Sequence, residues 1–447
     1  MYTNGSSGVA VGIDAAIVAD HHVTIRRPEA GGSGEIVDRF RIPSTLVGLD
    51  RLTERLAEFP GSVVVCEPTS MTWLSIGVAA ERAGCELAMV GTRHSARLRG
   101  ALVGKQKSDV IDADMLSRAG EFFALDRTTL PGPDQLALRR VIQRRHRLVV
   151  AANRTHRRIT SLVSWAFPDV WRVCATSRAA SFGVLRRWPH LETLSRARVA
   201  SIAEVIAANT RGVADVSQRA ERIHTAARAW VEFWDGHLDL DALAWELTEQ
   251  LADYDHTSGQ IRRAEREASR RWEQRWGDDE LLISVPGIGP IVAATVRAFF
   301  GDGHQFPDAK AAQSYVGLCP SNWSSGTVSQ PSRAITKEGP EELRLAFYLA
   351  ANAARTVDPQ LAAFYRKLMV ERGHCHAKAT CAVARKLIAR TWITITTGKR
   401  YELRDLDGMP VTRRAARELV TELAVPDKVR SRSRGHATPT RRGRLAS

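Results

Sequence analysis

The sequence lacks the features that mark secreted, membrane-spanning and zinc-ribbon proteins. Its six cysteines are scattered and no two form a CxxC pair, so neither a zinc ribbon nor a disulfide framework is indicated. No apolar run reaches the ~20 residues that span a bilayer. The opening residues Met1 to Gly8 also lack the charged-then-apolar order of a signal peptide. We therefore expect a reducing, cytoplasmic location.

Acidic residues are outnumbered by basic ones. The 447 residues are 44% apolar and 25% charged, which indicates a globular chain of two or three domains. Lysine and arginine number 64 against 49 acids, a net charge of +15. Such an excess predicts a polyanionic partner, and nucleic acid is the first choice. The alternative is a basic enzyme that does not bind nucleic acid.

The region 9–128 alternates strand-like and helix-like segments. Five apolar runs read as strands, namely Val9–Ala16, His22–Arg27, Glu35–Ile42, Ser62–Glu67 and Glu86–Val90. Helical patterns separate the third, fourth and fifth runs and follow the last one. This βββαβα order predicts an α/β domain with an RNase H-like fold. In that fold the first and fourth strands are neighbours.

Two of the predicted strands carry an acid at the end of their apolar run. Asp14 ends the run that begins at Val9 and Glu67 ends the fourth strand, while Asp109 and Asp112 are three residues apart and share one helix face. We expect Asp114 to point away and to be solvated. Acids at the ends of buried strands are costly unless a cation or hydrogen-bond donors hold them. The four acids therefore predict a divalent metal site facing a phosphodiester, and capping with surface charge is the alternative.

A helical region is predicted over residues 134–276. Its first long helix carries eight arginines and no acid between Arg139 and Arg158, and five of them fall near one face, namely Arg140, Arg144, Arg147, Arg154 and Arg158. We expect this face to contact nucleic acid, although charged helix faces are more commonly just solvated. Residues 239–276 predict an antiparallel or intermolecular coiled coil with this helix, or equally an intramolecular helical hairpin.

A third region, mostly α-helical, is predicted over residues 280–403. It opens with a helix-hairpin-helix-like turn in which Gly287 and Gly289 let backbone N–H groups approach a phosphate, although a plain tight turn is nearly as well supported. A polar loop with Ser325 follows, and Arg333 and Lys337 are candidate phosphate contacts.

Residues 426–447 are basic and predict a disordered tail that adds affinity for nucleic acid.

Taken in order over about residues 9 to 400, these segments resemble the DEDD-type insertion-sequence transposases, relatives of the Piv DNA invertase. The matching motifs are Gly12-Ile13-Asp14, Cys66-Glu67-Pro68-Thr69, Lys107-Ser108-Asp109 with Asp112-Ala113, Pro286-Gly287-Ile288-Gly289, Gly317-Leu318 with Pro320, Ser325-Gly326, and Arg333 with Thr336-Lys337 and Gly339.

The resemblance implies a RuvC-like N-terminal domain coupled to a C-terminal transposase domain. The four acids would hold Mg2+, with Mn2+ as a substitute, and Ser325 would attack the phosphodiester. Ser324 stands beside it and is the alternative nucleophile. The resemblance also implies a bridge RNA that pairs with donor and target DNA, and a dimer or tetramer.

Three other functions remain open from the residues. One is a Holliday-junction-type resolving nuclease that uses the metal and water alone, and another is a non-catalytic scaffold that binds nucleic acid. A sugar kinase shares the Gly-Ile-Asp strand end, but the expected phosphate-binding glycine loops are absent from the sequence.

Overall fold

The computed structural model describes residues 8–29, 34–68, 70–102, 108–125, 127–174, 177–210, 215–277, 279–319, 324–325, 328–329 and 335–430. The chain divides into two compact units, Met1–Gly132 and Pro133–Ser447. Each is described separately.

In its described residues the first unit contains a mixed sheet and five helices. In chain order its elements are β1 Ala10–Asp14, β2 His21–Arg27, β3 Glu35–Ile42, α1 Leu46–Leu56, β4 Val63–Cys66, α2 Thr72–Arg82, β5 Glu86–Met89, α3 Thr92–Leu102, α4 Asp109–Ser117 and α5 Ala119–Phe122. All five predicted strands are present, and their ends agree with the prediction to within two residues.

The strand order of the sheet is β3-β2-β1-β4-β5. Strand β1 pairs with β2 antiparallel and with β4 parallel, so the predicted adjacency of the first and fourth strands is confirmed. Strand β5 continues the parallel half beyond β4. This order, with its βββαβα sequence of elements, is that of an RNase H-like fold.

Helices cover both faces of the sheet, which explains why the central strands read as continuous apolar runs. Leu52 of α1 and Ile76 of α2 are fully buried in one core with Val11 and Ile13. On the opposite face Val65 packs in a second core that includes residues of α3 and α4.

The second unit is almost entirely helical in the part that the structure describes. Its elements are α6 Pro133–Ala166, α7 Asp169–Val173, α8 Arg178–Arg187, α9 Leu191–Ser195, α10 Val199–Ala208, α11 Val216–Trp234, α12 Leu240–Trp276, α13 Glu280–Ser284, α14 Pro290–Phe300, α15 Ala309–Val316, β6 Ser324–Ser325, β7 Val328–Ser329, α16 Glu341–Ala354, α17 Pro359–Val370, α18 His376–Thr397 and α19 Arg413–Glu422.

The long helices α6 and α12 pack against each other in antiparallel orientation within one chain. Arg145 forms an ion pair with Glu265 at 2.7 Å, and the rings of His156 and Tyr254, further along α6 and earlier in α12, lie 6.2 Å apart. The structure therefore has the intramolecular helical hairpin, while an intermolecular coiled coil stays a prediction.

The predicted boundary between regions 134–276 and 280–403 does not separate two cores. Leu138 of α6 and Trp272 of α12 are buried together with Phe300 of α14 and Phe347 of α16. The other ends of α6 and α12 belong to a different core with α7 to α11. The long pair is thus shared by both cores, because each of its ends presents apolar residues to a different group of helices.

The first residues of the predicted disordered tail are ordered. Val425 is buried against the C-terminal core and Val429 packs on it, so residues 426–430 are ordered by apolar contacts. Residues 431–447 lie outside the described part of the chain. Within the described residues, none of the helices has the length and apolar character needed to cross a bilayer.

Candidate active site

Two of the predicted acids lie side by side at one edge of the sheet. Strands β1 and β4 run parallel, with Ile13 opposite Cys66. The next residues along the two strands are Asp14 and Glu67. Since Ile13 and Cys66 are fully buried, both carboxylates emerge where the core of the sheet ends.

Helix α4 brings the other two acids to β1. A Cβ atom on Gly12 would lie 2.1 Å from the carbonyl oxygen of Ala113 and 2.2 Å from the backbone nitrogen of Ser117, so only glycine lets the helix backbone lie directly on the strand. The helix begins at Asp109, where the side chain of Ser108 caps it by accepting from the N–H of Ile111. Asp109 and Asp112 stand in its first turn.

The electrostatics of the cluster centre on Asp14. Burial raises the pKa of its carboxyl to about 6, and the neighbouring charges of Asp112, Asp109 and Glu67 add to the rise, whereas His22 opposes it. The four acids are therefore close enough to repel one another. A divalent cation would relieve that repulsion.

Asp112 provides a second sign that the cluster suits a cation. The residue is 8% exposed, and its Oδ1 atom is buried without a hydrogen-bond partner in the described part of the chain. The four acids are nevertheless not arranged as a finished ligand set, because the described residues contain no group of three or more His, Cys, Asp or Glu that could hold a metal as they stand. The donor chemistry fits a divalent ion, and the carboxylates would have to draw together around it.

Two residues of the cluster are not evident in the sequence. The Nε atom of Arg99, on α3, lies 3.3 Å from Oδ1 of Asp112. His22 is opposite Asp14 in the antiparallel register of β1 and β2, and its Nε2 atom lies 3.9 Å from Oδ2 of Asp109. The pairing of β1 with β2 could have predicted His22, whereas no sequence signal connects Arg99 with Asp112.

The prediction that Asp114 is solvated was wrong. Its side chain is 22% exposed rather than solvated. It accepts hydrogen bonds from Thr24 Oγ1 at 2.7 Å and from Arg39 Nε at 2.9 Å. The prediction was wrong because α4 lies flat on the sheet, so the face turned away from the acid cluster meets strands β2 and β3. Asp114 holds the helix on the sheet.

The serine segment is described only in its backbone. Ser324 and Ser325 form β6, which pairs antiparallel with β7. Their side chains, and all of Arg333, lie outside the described residues. The base of this loop is closed by backbone hydrogen bonds, since Lys337 N donates to Gly317 O at 3.0 Å and Thr336 N donates to Cys319 O at 2.9 Å. Lys337 is exposed and its backbone is in the left-handed region, with φ of 57°.

The two glycines of the hairpin have different surroundings. Gly287 has φ of 81°, and a Cβ atom there would lie 2.1 Å from the carbonyl oxygen of Ala350 in α16. Gly287 is thus required by packing, a role other than the predicted phosphate contact. Gly289 begins α14 with open space at its Cβ position among the described atoms. The helix N-terminus at Gly289 is the part of the hairpin that an anion could reach.

The five predicted arginines of α6 form one exposed surface, the arginine face, made of Arg140, Arg144, Arg147, Arg154 and Arg158. None of the five forms an ion pair with an acid of the described chain. By contrast, Arg139 and Arg145 of the same helix turn inward, to Ala298 O and to Glu265. Helix α6 therefore separates structural arginines from arginines that are available to a partner.

Comparison with known proteins connects both units to transposases. A family model described as Transposase, of the DEDD type of IS110, matches residues 11–168, and one described as Transposase IS116/IS110/IS902 family matches residues 279–366. The uncharacterized 43.6 kDa protein of insertion element IS110 from Streptomyces coelicolor is 26% identical over 90% of this chain and 98% of its own length.

Other proteins are also similar to this chain. The 44.8 kDa protein of insertion element IS116 from Streptomyces clavuligerus is 26% identical over 66% of this chain and 73% of its own length. The pilin gene-inverting protein of Moraxella lacunata is 28% identical over 28% of this chain and 38% of its own. Among solved structures, T. thermophilus RuvC with a Holliday junction covers 27% of this chain and 99% of that chain, at 15% identity and a TM-score of 0.21. The fold assignment rests on the strand order, not on this last likeness.

Proposed function

The chain belongs to the IS110-type family of DEDD insertion-sequence transposases, and we propose that it cuts and rejoins DNA strands at a divalent-metal site made by Asp14, Glu67, Asp109 and Asp112. The observation that carries the proposal is the convergence of β1, β4 and α4, which gathers acids from three segments of the chain at one edge of the sheet. The raised pKa of Asp14 supports a cation there, and so does Oδ1 of Asp112, which is buried and accepts no hydrogen bond in the described part of the chain.

The metal site would bind the phosphodiester group that is cut. A divalent cation, Mg2+ or Mn2+, would polarise the phosphate and stabilise the leaving oxygen when bound. Asp14 and Glu67 would hold it from the sheet edge, and Asp109 and Asp112 from the first turn of α4. The excess of basic residues, and the arginine face in particular, supports a nucleic-acid substrate.

We further propose Ser325 as the nucleophile. Its hydroxyl oxygen would form a bond to phosphorus while the bond to one deoxyribose oxygen breaks, and the proton of the serine would pass to that leaving oxygen. The covalent phosphoserine would keep the bond energy for rejoining, as a recombinase requires. Lys337 and Arg333 would contact the phosphate. Several of the matched relatives are named as transposases or as a gene-inverting protein, so a junction-resolving nuclease is not favoured.

A structured guide RNA and assembly into a dimer or tetramer complete the proposal. Base pairing would then carry the choice of donor and target DNA. The resemblance of the motifs supports the guide RNA. The arginine face supports it as well, because its five arginines form no ion pair with an acid of the described chain. Sequencing the RNA that co-purifies with the protein tests it directly. One enriched structured RNA is expected, and recovery of bulk cellular RNA alone would contradict guidance.

Two substitutions test the catalytic proposal. Asp14→Asn should abolish strand exchange while leaving the fold intact, because the amide keeps the shape of the side chain but loses the charge. Ser325→Ala should remove any covalent protein–DNA adduct, and Ser324→Ala, which removes the alternative nucleophile, should leave the adduct in place. Cleavage that persists unchanged in the double variant Ser324→Ala/Ser325→Ala would show that water is the nucleophile, and exchange retained in Asp14→Asn would refute the metal site.

A further inference from the structure

Trp165 extends the arginine face beyond its last arginine. It follows Arg158 by seven residues, as Arg147 follows Arg140 and Arg154 follows Arg147, so it lies on the same side of α6. Its side chain is 48% exposed, although it is large and apolar. The stripe from Arg140 to Trp165 is about 38 Å long at the helical rise of about 1.5 Å per residue.

Neighbouring aromatic rings hold Trp165 in place. It packs edge-on against Trp234 of α11, with ring centroids 6.0 Å apart at an angle of 88°. Trp234 donates its indole N–H to Ala166 O at 3.0 Å, and it stacks on Trp230 at 5.7 Å. Trp230 in turn donates to Asp169 at 2.8 Å. Because the supporting rings are fixed by hydrogen bonds, Trp165 presents a prepared aromatic surface.

The surroundings favour a nucleotide as the ligand. The arginine face has no acid partners in the described chain, and an aromatic ring beside arginines is the combination that binds bases by stacking and phosphates by charge. A duplex hides the faces of its bases, whereas an unpaired base exposes them. Glu232 and Asp235 flank Phe233 and Trp234 in the sequence, so phosphates would be repelled from that side and kept on the α6 side.

We propose that Trp165 and the arginine face together form a binding site for an unpaired stretch of nucleic acid. The arginines hold successive phosphates and Trp165 stacks on a base at the end of the stretch. This inference rests on the proposed nucleic-acid activity and extends it to a strand that is not in a duplex. An unpaired segment of RNA and one of DNA offer the same chemistry, and the experiment separates them.

The test measures binding of the full chain to labelled oligo(U), oligo(dT) and a DNA duplex in the presence of EDTA. Trp165→Leu keeps an apolar side chain but removes the ring, and it should weaken single-strand binding about tenfold, the effect of losing one stacked base. Trp165→Phe should restore most of the affinity. Binding to the duplex should stay within about twofold. The larger loss, for oligo(U) or for oligo(dT), identifies the strand.

Two further variants control the test. Trp245 of α12 is 69% exposed and has no ring partner in the described chain, so Trp245→Leu should leave all affinities unchanged. Arg158→Gln should weaken binding to every probe and reduce its salt dependence by about one ion. Equal losses for duplex and single strands, or no loss with Trp165→Leu, would overturn the inference. Since the assay needs neither metal nor cleavage, failure of the proposed catalysis would not affect it.

Discussion

Gly12 is the residue on which the geometry of the acid cluster depends most. A methyl group there would collide with the backbone of α4 at Ala113 and Ser117. We expect Gly12→Ala to lower the free energy of unfolding by about 1–3 kcal/mol, the usual cost of overpacking, and to abolish strand cleavage by displacing Asp109 and Asp112. Chemical denaturation and a cleavage assay measure the two effects.

Gly100→Ala is the control for this prediction. Gly100 lies in α3 with open space at its Cβ position among the described atoms, so alanine should be tolerated or slightly stabilising there. A Gly12→Ala protein as stable and active as the wild type would show that α4 does not need its close approach to β1.

We expect Arg99 to compete with a metal ion for Asp112. The guanidinium lies 3.3 Å from Oδ1 of Asp112 without an aligned hydrogen bond, so it neutralises the carboxylate without satisfying that oxygen. Removing a positive charge this close to a divalent ion should tighten Mn2+ binding about tenfold. Arg99→Gln tests this by electron paramagnetic resonance of free Mn2+, with the exposed Arg97→Gln on the same helix as control. Weaker Mn2+ binding in Arg99→Gln would mean that Arg99 supports the site.

Asp14 should make the stability of the metal-free protein depend on pH. Its pKa is raised to about 6 in the folded state, against about 3.9 in an unfolded chain. Between these values the folded state binds more protons, so the free energy of unfolding should fall as the pH rises from about 4 to about 6. Urea denaturation of wild type and Asp14→Asn measures the difference. Parallel pH profiles would show that Asp14 has an ordinary pKa in the folded protein.

Among the secondary-structure elements, the hairpin before α14 has two glycines with different expected roles. We expect Gly287 to be needed for packing and Gly289 for contact with DNA. Gly287→Ala should destabilise the second unit, since the new methyl group meets the carbonyl of Ala350 and the backbone has positive φ. Gly289→Ala should keep the stability, because its Cβ position is open, and should weaken DNA binding if the N-terminus of α14 contacts phosphate. Thermal unfolding and a binding titration compare the pair, and equal stability of the two variants would contradict this division.

The elements also show what could be predicted from the sequence. Strand positions and the exposed side of α6 follow from local apolar patterns, and the pairing of the first and fourth strands follows from the βββαβα order of elements. These predictions agree with the structure. Arg99 was missed because it lies on a separate helix whose orientation depends on packing of Leu98 in the core with Leu116. Asp114 was misjudged because periodicity tells which residues share a helix face but not what that face meets.

At the scale of the whole molecule, the number of cores was harder to predict than the elements. Apolar stripes on α6 and α12 indicated that the two helices pair. They could not indicate that each end of the pair would be buried against a different set of helices. Such contacts join residues more than a hundred positions apart, and no local spacing encodes them. The extension of order to Val429 has the same origin.

Calorimetric titration of the chain with Mn2+ measures whether Asp14, Glu67, Asp109 and Asp112 bind a divalent cation together. We expect uptake by the wild type, uptake by Asp50→Asn, whose exposed carboxylate lies on α1, and about tenfold weaker binding in Asp14→Asn, by the loss of one charged ligand. No uptake by the wild type, or equal affinity in Asp14→Asn, would contradict this expectation.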